Sequence, residues 1–276
     1  MRSVFFSCVM LILTNAYTYA SDAHIHQPVL NGKLTQGSLI RGKVEAGTQI
    51  WLNEKPVKVS STGDFVIGFG RDATLKNVLK WQSPSMELPS KHLINLEKRI
   101  YKIDKIEGVA KKYVSPPQAV LARIRNDNAA VAKARQTNSD LNDFLSDLIM
   151  PAKGRISGVY GSQRYFNGEP KRPHFGLDIA NKVGEPVVAP IGGIVTLAHA
   201  DMYYSGGTLL IDHGFGVSST FIHLSKIHVK EGQRVEQGEL IAEIGATGRV
   251  TGPHLDWRIN WFKERLDPAL LLDTLE

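Results

Sequence analysis

The chain is nearly without cysteine: Cys8 is the single one among 276 residues. One thiol closes no intramolecular disulfide, so the fold must be held by packing, hydrogen bonds or a metal. Long apolar runs are scarce as well. After the first twenty residues no stretch approaches the roughly 20 apolar residues that a membrane-spanning helix requires. There is no block of basic residues interleaved with aromatics, which argues against a nucleic-acid partner. There is also no HExxH segment, which excludes a zincin-type glutamate base.

What is present is ordinary for a water-soluble protein of two domains: 42% apolar residues, 22% charged residues and a formal net charge of +6. The N-terminus, with Arg2, the apolar run VFFSCVMLIL and the small-residue end TYA, reads as an export leader cleaved after Ala20. Cleavage would remove Cys8 and one of the 33 basic residues, leaving 32 against 27 acids, a net +5. A modest positive balance suits an anionic neighbourhood such as a cell wall, and equally plain solubility.

Beyond the leader (1–20) the pattern changes twice. Residues 21–112 carry short alternating runs such as SLIRGKV, TQIWL and GDFVIGF between the turns EAGT, NEKP and STGD, which predicts a small β-sandwich. Its reading as a wall-positioning module stands beside that of a spacer or lid. Residues 113–153 predict a helical connector. Ser115 is its N-cap, Pro116 its first helical residue, and Val120, Ile124 and Val131 form one apolar face; a second helical stretch, SDLNDFLSDLIM, ends at PAKG. Because the chemistry-bearing motifs lie beyond PAKG, a chain beginning near Ala152 is expected to fold alone.

From Gly154 onward (154–276) glycines are dense and six of the nine histidines occur: His174, His199, His213, His223, His228 and His254. In PHFGLD, His174 and Asp178 are four apart around Gly176, which permits a turn that brings both side chains together as N and O donors suited to Zn²⁺. His223 lies in the alternating stretch FIHLS. In GPHLDW, His254 and Asp256 leave the same face of an extended strand. Each segment alone is compatible with an ordinary turn or strand residue. Three together in one glycine-rich region point to a metal site.

The stretch from PHFGLDIANKVGEPVVAPIGGIV to TGPHLDW resembles the catalytic domain of the LytM-type zinc metallopeptidases, peptidase family M23, which cut peptide bonds in peptidoglycan. The resemblance covers about Gly154 to Pro268. It implies a mainly β protein whose C-terminal antiparallel β-sheet has an open groove, one Zn²⁺, and a periplasmic or secreted, wall-associated location. It further implies His174 and Asp178 as the first two zinc ligands, and His223 and His254 as the catalytic histidines. The family's third ligand is the second histidine of HxH, and here Asp256 stands in that place. A carboxylate can replace imidazole on zinc, but a second anionic ligand lowers the polarising power of the metal. A histidine at 256 is therefore expected to give a site at least as competent. Tyr203 and Tyr204 read as surface aromatics or as groove lining, and His199, His213 and His228 as structural.

A second reading keeps the fold and the groove without the metal: a degenerate LytM-type regulator that binds or activates a wall amidase. A third comes from VKEGQRVEQGELIAEI, which resembles the hairpin of biotinyl and lipoyl carrier domains; no lysine occupies the corresponding turn at EIGATGRV.

Overall fold

The structure, a computed structural model, describes residues 27–106, 117–166, 168–170 and 172–272. The expected leader, Ser115 and Pro116 lie outside the described residues.

Two antiparallel sheets build the N-terminal part. One pairs Val29–Asn31, Leu39–Lys43 and Asp64–Gly68; the other pairs Lys55–Val57, Gln49–Leu52, Lys76–Gln82 and Ser90–Asn95. Strict alternation in Lys76–Gln82 buries Asn77, Leu79 and Trp81 and turns Lys76, Val78, Lys80 and Gln82 outward. Ile40, Ile50, Phe65, Ile67, Leu79, Trp81 and Ile94 fill the space between the sheets, as expected of a β-sandwich.

The C-terminal part is a ten-stranded sheet. Its central order is Gly193–Met202, Gly206–Gly214, Val217–Ile227, His254–Trp261, Leu177–Ala180 and Arg155–Gly158, each antiparallel to its neighbour. Alternation sorts the two faces of the strand His254–Trp261. Leu255, Trp257 and Ile259 enter the main core with Leu177, Ile179, Leu209, Ile211 and Phe221, while His254, Asp256, Arg258 and Asn260 share the opposite face.

One helix, Leu121–Ala134, lies against Gly193–Met202 and Gly206–Gly214, with Val131 and Ala134 packed on Leu197, Met202 and Leu210. The second expected helix is not formed. SDLNDFLSDLIM contains a single 3-10 turn, Asp143–Leu145. Phe144 and Leu148 drop from it into the main core, and both Asp143 oxygens accept bonds from Arg234 at 2.6 Å. These tertiary anchors hold the segment open where the apolar pattern alone suggested a continuous helix.

The two parts share one core. Leu39 and Val66 of the N-terminal sheet belong to the same apolar cluster as Phe144, Trp257 and Leu266, and Trp261 touches both clusters. Arg41 donates to Phe144 O at 2.8 Å, Lys58 to Asn138 O and Ser139 O, and Ile103–Ile106 pairs in parallel with Gln163–Phe166. This packing runs against the expectation that a chain from Ala152 would fold alone. Such a chain would expose the underside of a core it shares with residues 39–148.

Candidate metal centre

Two acidic residues face each other across adjacent strands. Asp178 of Leu177–Ala180 is the direct antiparallel partner of Asp256, and so projects from the same face. Opposed like charges destabilise a sheet unless a cation lies between them. The cationic groups here are His174 and Arg258. His174 enters from the preceding loop, which is pinned by Gly161 N to His174 O at 2.9 Å and His174 N to Ser162 O at 2.8 Å. Its Nε2 lies 3.0 Å from Asp178 Oδ1 and 3.5 Å from Asp256 Oδ2.

Several features fit this cluster to a metal ion. The ligand atoms of His174, Asp178 and Asp256 all lie within 4.8 Å of one another. Donors about 2.0–2.2 Å from a tetrahedral zinc are themselves about 3.3–3.6 Å apart, which brackets the larger of the two His174 separations and lies just above the smaller. His174 Nε2 and Asp178 Oδ1 are buried without a hydrogen-bond partner, as donors converging on a common point would be. Room is left by two glycines: a Cβ at Gly158 would collide with the Asp178 carboxylate, and one at Gly176 with Asp256 Oδ1. Replacement of Gly176 would also meet Trp257 O at 2.7 Å.

The histidines are oriented alike. Nδ1 of His174 lies 3.1 Å from Val159 O, that of His223 2.9 Å from Thr247 O, and that of His254 2.9 Å from Gly252 O. A carbonyl only accepts, so each Nδ1 carries the proton and each Nε2 is left for the site. The His223 and His254 rings are 4.9 Å apart, and His254 Nε2 is 4.0 Å from Asp178 Oδ1. His223 adopts φ +68°, a left-handed conformation that costs a non-glycine residue about 1–2 kcal/mol, at the bulge where Val217–Ile227 loses regular pairing.

Electrostatics separates the roles. Burial pushes His223 down, so it is neutral near pH 7 and free to accept a proton. Burial would also lower His174, but the negative carboxylates of Asp178 and Asp256 beside its Nε2 outweigh it and hold the imidazole up at about 10. Burial would raise Asp256; Arg258 and His174 overcome it and keep that carboxyl well below the usual range.

Sequence reasoning missed Arg258. Its Nε donates to Asp256 Oδ1 at 2.9 Å and its Nη2 to Oδ2 at 2.5 Å, a bidentate fork onto a side chain only 4% exposed. The signal was available, because the alternation linking His254 to Asp256 reaches Arg258 one step further. The guanidinium offsets the extra anionic charge of the aspartate, so the pair presents an almost neutral third donor, as a histidine would.

Among the described residues the other histidines stand apart. His213 is fully buried between Gly192 O and Ser219 Oγ, each 2.7 Å away, and His228 pairs with Glu243 at 3.0 Å. His199 Nδ1 accepts from Asp201 N at 3.1 Å. Tyr203 and Tyr204 pack edge to face at 4.9 Å, with Arg249 over Tyr204.

Comparison with known proteins agrees with this geometry. Residues 172–268 match peptidase family M23. Over 110 residues the chain is 40% identical to the peptidoglycan DD-endopeptidase ShyA of Vibrio cholerae, a match covering 39% of this chain and 25% of ShyA. Over 108 residues it is 39% identical to the DD-carboxypeptidase/endopeptidase Mpg of Neisseria meningitidis, covering 38% of this chain and 25% of Mpg. The chain thus spans about a quarter of the length of these curated relatives. A solved structure from Pseudomonas aeruginosa assigned to peptidase M23 superposes with a TM-score of 0.68 at 28% identity, covering 87% of this chain and 95% of that one. The region 172–268 belongs to peptidase family M23.

Proposed function

We propose that the protein is a zinc-dependent endopeptidase that hydrolyses peptide bonds of peptidoglycan in cell-wall remodelling, acting in the periplasm or outside the cell. The observation that carries this reading is the pair of opposed aspartates closed by His174, on a face that also presents two histidines with free Nε2 atoms. The curated relatives are named for peptidoglycan cleavage. No described helix is long and apolar enough to cross a membrane.

His174, Asp178 and Asp256 are the metal ligands in this proposal, and the region from Gly154 onward carries the chemistry, with residues 21–112 as accessory module and 113–153 as connector. Zinc bound there supplies Lewis acidity toward the scissile carbonyl and the attacking water. His223, kept neutral by burial, takes the proton from that water at Nε2. His254, 4.9 Å away ring to ring, accepts at its free Nε2 from the other O–H of that water and orients it, and His223, once it carries the proton, donates from Nε2 to the oxygen on which negative charge develops. The Nδ1 bonds to Thr247 O and Gly252 O fix both rings so that no reorientation is needed during the reaction.

Metal analysis of the purified protein together with digestion of isolated peptidoglycan tests the assignment. His174→Ala and Asp178→Ala should lose metal and hydrolysis together, whereas His223→Ala should keep its metal and lose turnover by about 100-fold or more. Stoichiometric absence of metal in active wild-type protein would reject it, as would equal metal loss in all three variants.

A further inference from the structure

Next to the metal ligands, the same strand face runs into a concentration of positive charge. Two steps beyond Asp256 comes Arg258, and two further comes Asn260; Asn260 pairs with Arg265 on one side and with Ser218 on the other, while Arg258 pairs with Thr220. Directly opposed residues share a face, so these side chains line one floor. Arg135, the C-cap of the helix Leu121–Ala134, closes it from above, donating from Nη2 to Thr220 Oγ1 at 3.2 Å. Arg265 and Arg172 stand at 4.9 and 5.6 Å from the ring of Phe175, the residue after His174.

Four guanidiniums thus meet two nearby carboxylates, Asp256, which is already bound by Arg258, and Asp178, which lies against His174. Among the described residues Arg135, Arg172 and Arg265 have no ion-pair partner. Burial pushes Arg135 down to about 9 and Arg265 to about 10, and the neighbouring guanidiniums act in the same direction. Polar atoms around them are unsatisfied. Arg135 Nε, Ser218 Oγ and both Asn260 amide atoms are buried without a hydrogen bond, Ser218 being 3% and Asn260 1% exposed. Clustered cations, Arg135 and Arg265 half-buried and Arg172 exposed at the rim, beside buried donors without partners form a site that lacks its anion.

We propose that Arg135, Arg172, Arg265, Ser218 and Asn260 form a subsite for a carboxylate of the peptide substrate, next to the metal ligands. This deepens the function proposed above and rests on it. Asn260, at the far end of the subsite, is four residues, about 14 Å, from the ligand Asp256, and an extended peptide advances about 3.4 Å per residue. The carboxylate recognised therefore lies within about four residues of the bond that is cut, either at a free C-terminus or on an acidic side chain.

Calorimetric binding to the full-length protein, stripped of metal with phenanthroline, tests this independently of hydrolysis. The probes are N-acetyl-D-alanyl-D-alanine, its C-terminal carboxamide, N-acetyl-D-glutamyl-D-alanine carboxamide and inorganic phosphate. At least one of the two acids should bind on the order of tenfold more tightly than the alanyl carboxamide, and which one does so identifies the source of the carboxylate. Arg135→Gln and Arg265→Gln should remove that advantage without weakening carboxamide binding. Asn260→Asp, nearly isosteric, places a carboxylate among the arginines and should abolish the acid preference while raising the melting temperature, which keeps the test valid if the arginine variants do not fold. Equal affinity for acids and carboxamide overturns the inference, as does an Asn260→Asp protein that still prefers the acids. It also falls if phosphate binds more tightly than either acid and only phosphate binding responds to the arginine variants. A protein that cleaves peptidoglycan but shows no acid preference retains the function and loses the subsite.

Discussion

Asp256→His would restore the donor set of the resembling family, yet the structure predicts that it impairs the protein. The substitution removes both acceptors of the Arg258 fork and sets an imidazole beside a guanidinium whose side chain is only 22% exposed. Breaking one side of a buried ion pair costs about 3–5 kcal/mol, and the residual exposure of Arg258 reduces this to about 2–4 kcal/mol. Urea unfolding of metal-free protein reads the loss as a lower midpoint at unchanged slope. Adding Arg258→Gln to Asp256→His should recover at least half of it, because no desolvated cation is then left unpaired. The double variant should also bind zinc more tightly than Asp256→His alone, measured by competition with a chromophoric chelator, since the single variant keeps a cation beside the metal. An Asp256→His protein within about 0.5 kcal/mol of wild type would show that the fork contributes nothing and would refute the reasoning.

His213 gives a pH signature. Burial lowers it to about 4, so between the unfolded value near 6.5 and that point the unfolded chain binds a proton that the native chain does not. Stability should therefore fall by about 3 kcal/mol as pH drops across this window; the difference between wild type and His213→Gln isolates it, and parallel curves would contradict it. Gly158→Ala drives a methyl into the Asp178 carboxylate and should weaken zinc binding by about tenfold or more while the far-ultraviolet circular dichroism stays native; unchanged affinity would show that Asp178 does not hold metal. At His223, Gly should be about 1 kcal/mol more stable than Ala in thermal unfolding because of the positive φ, and the reverse order would place the backbone elsewhere. A chain beginning at Ala152 should aggregate, and a soluble, cooperatively unfolding fragment would contradict the shared core.

The convergence of His174, Asp178 and Asp256 was legible because its cues are local: a four-residue spacing around Gly176, and a two-residue alternation in HLD that a strand turns into a shared face. The β architecture was legible from alternation and turn residues for the same reason. Sequence could not show that Asp178 and Asp256 are direct cross-strand partners, since register joins segments 78 residues apart. Nor could it show that Gly158 clears space for Asp178 or that Arg135 reaches Thr220 from a helix 85 residues away. The missing second helix fails for a related reason: Phe144 and Leu148 carry helical spacing but are claimed by the core, and tertiary packing outweighs weak intrinsic preference.

The core that joins Leu39 and Val66 to Trp257 and Leu266 has a mechanical consequence. A module connected by a bare tether can swing, and its motion can open or shut a neighbouring cleft. Here rotation of the N-terminal sheets would expose interdigitated apolar side chains and break the parallel pairing of Ile103–Ile106 with Gln163–Phe166. Among the described residues the two parts are thus set relative to one another at folding, like the jaws of a fixed-gap gauge.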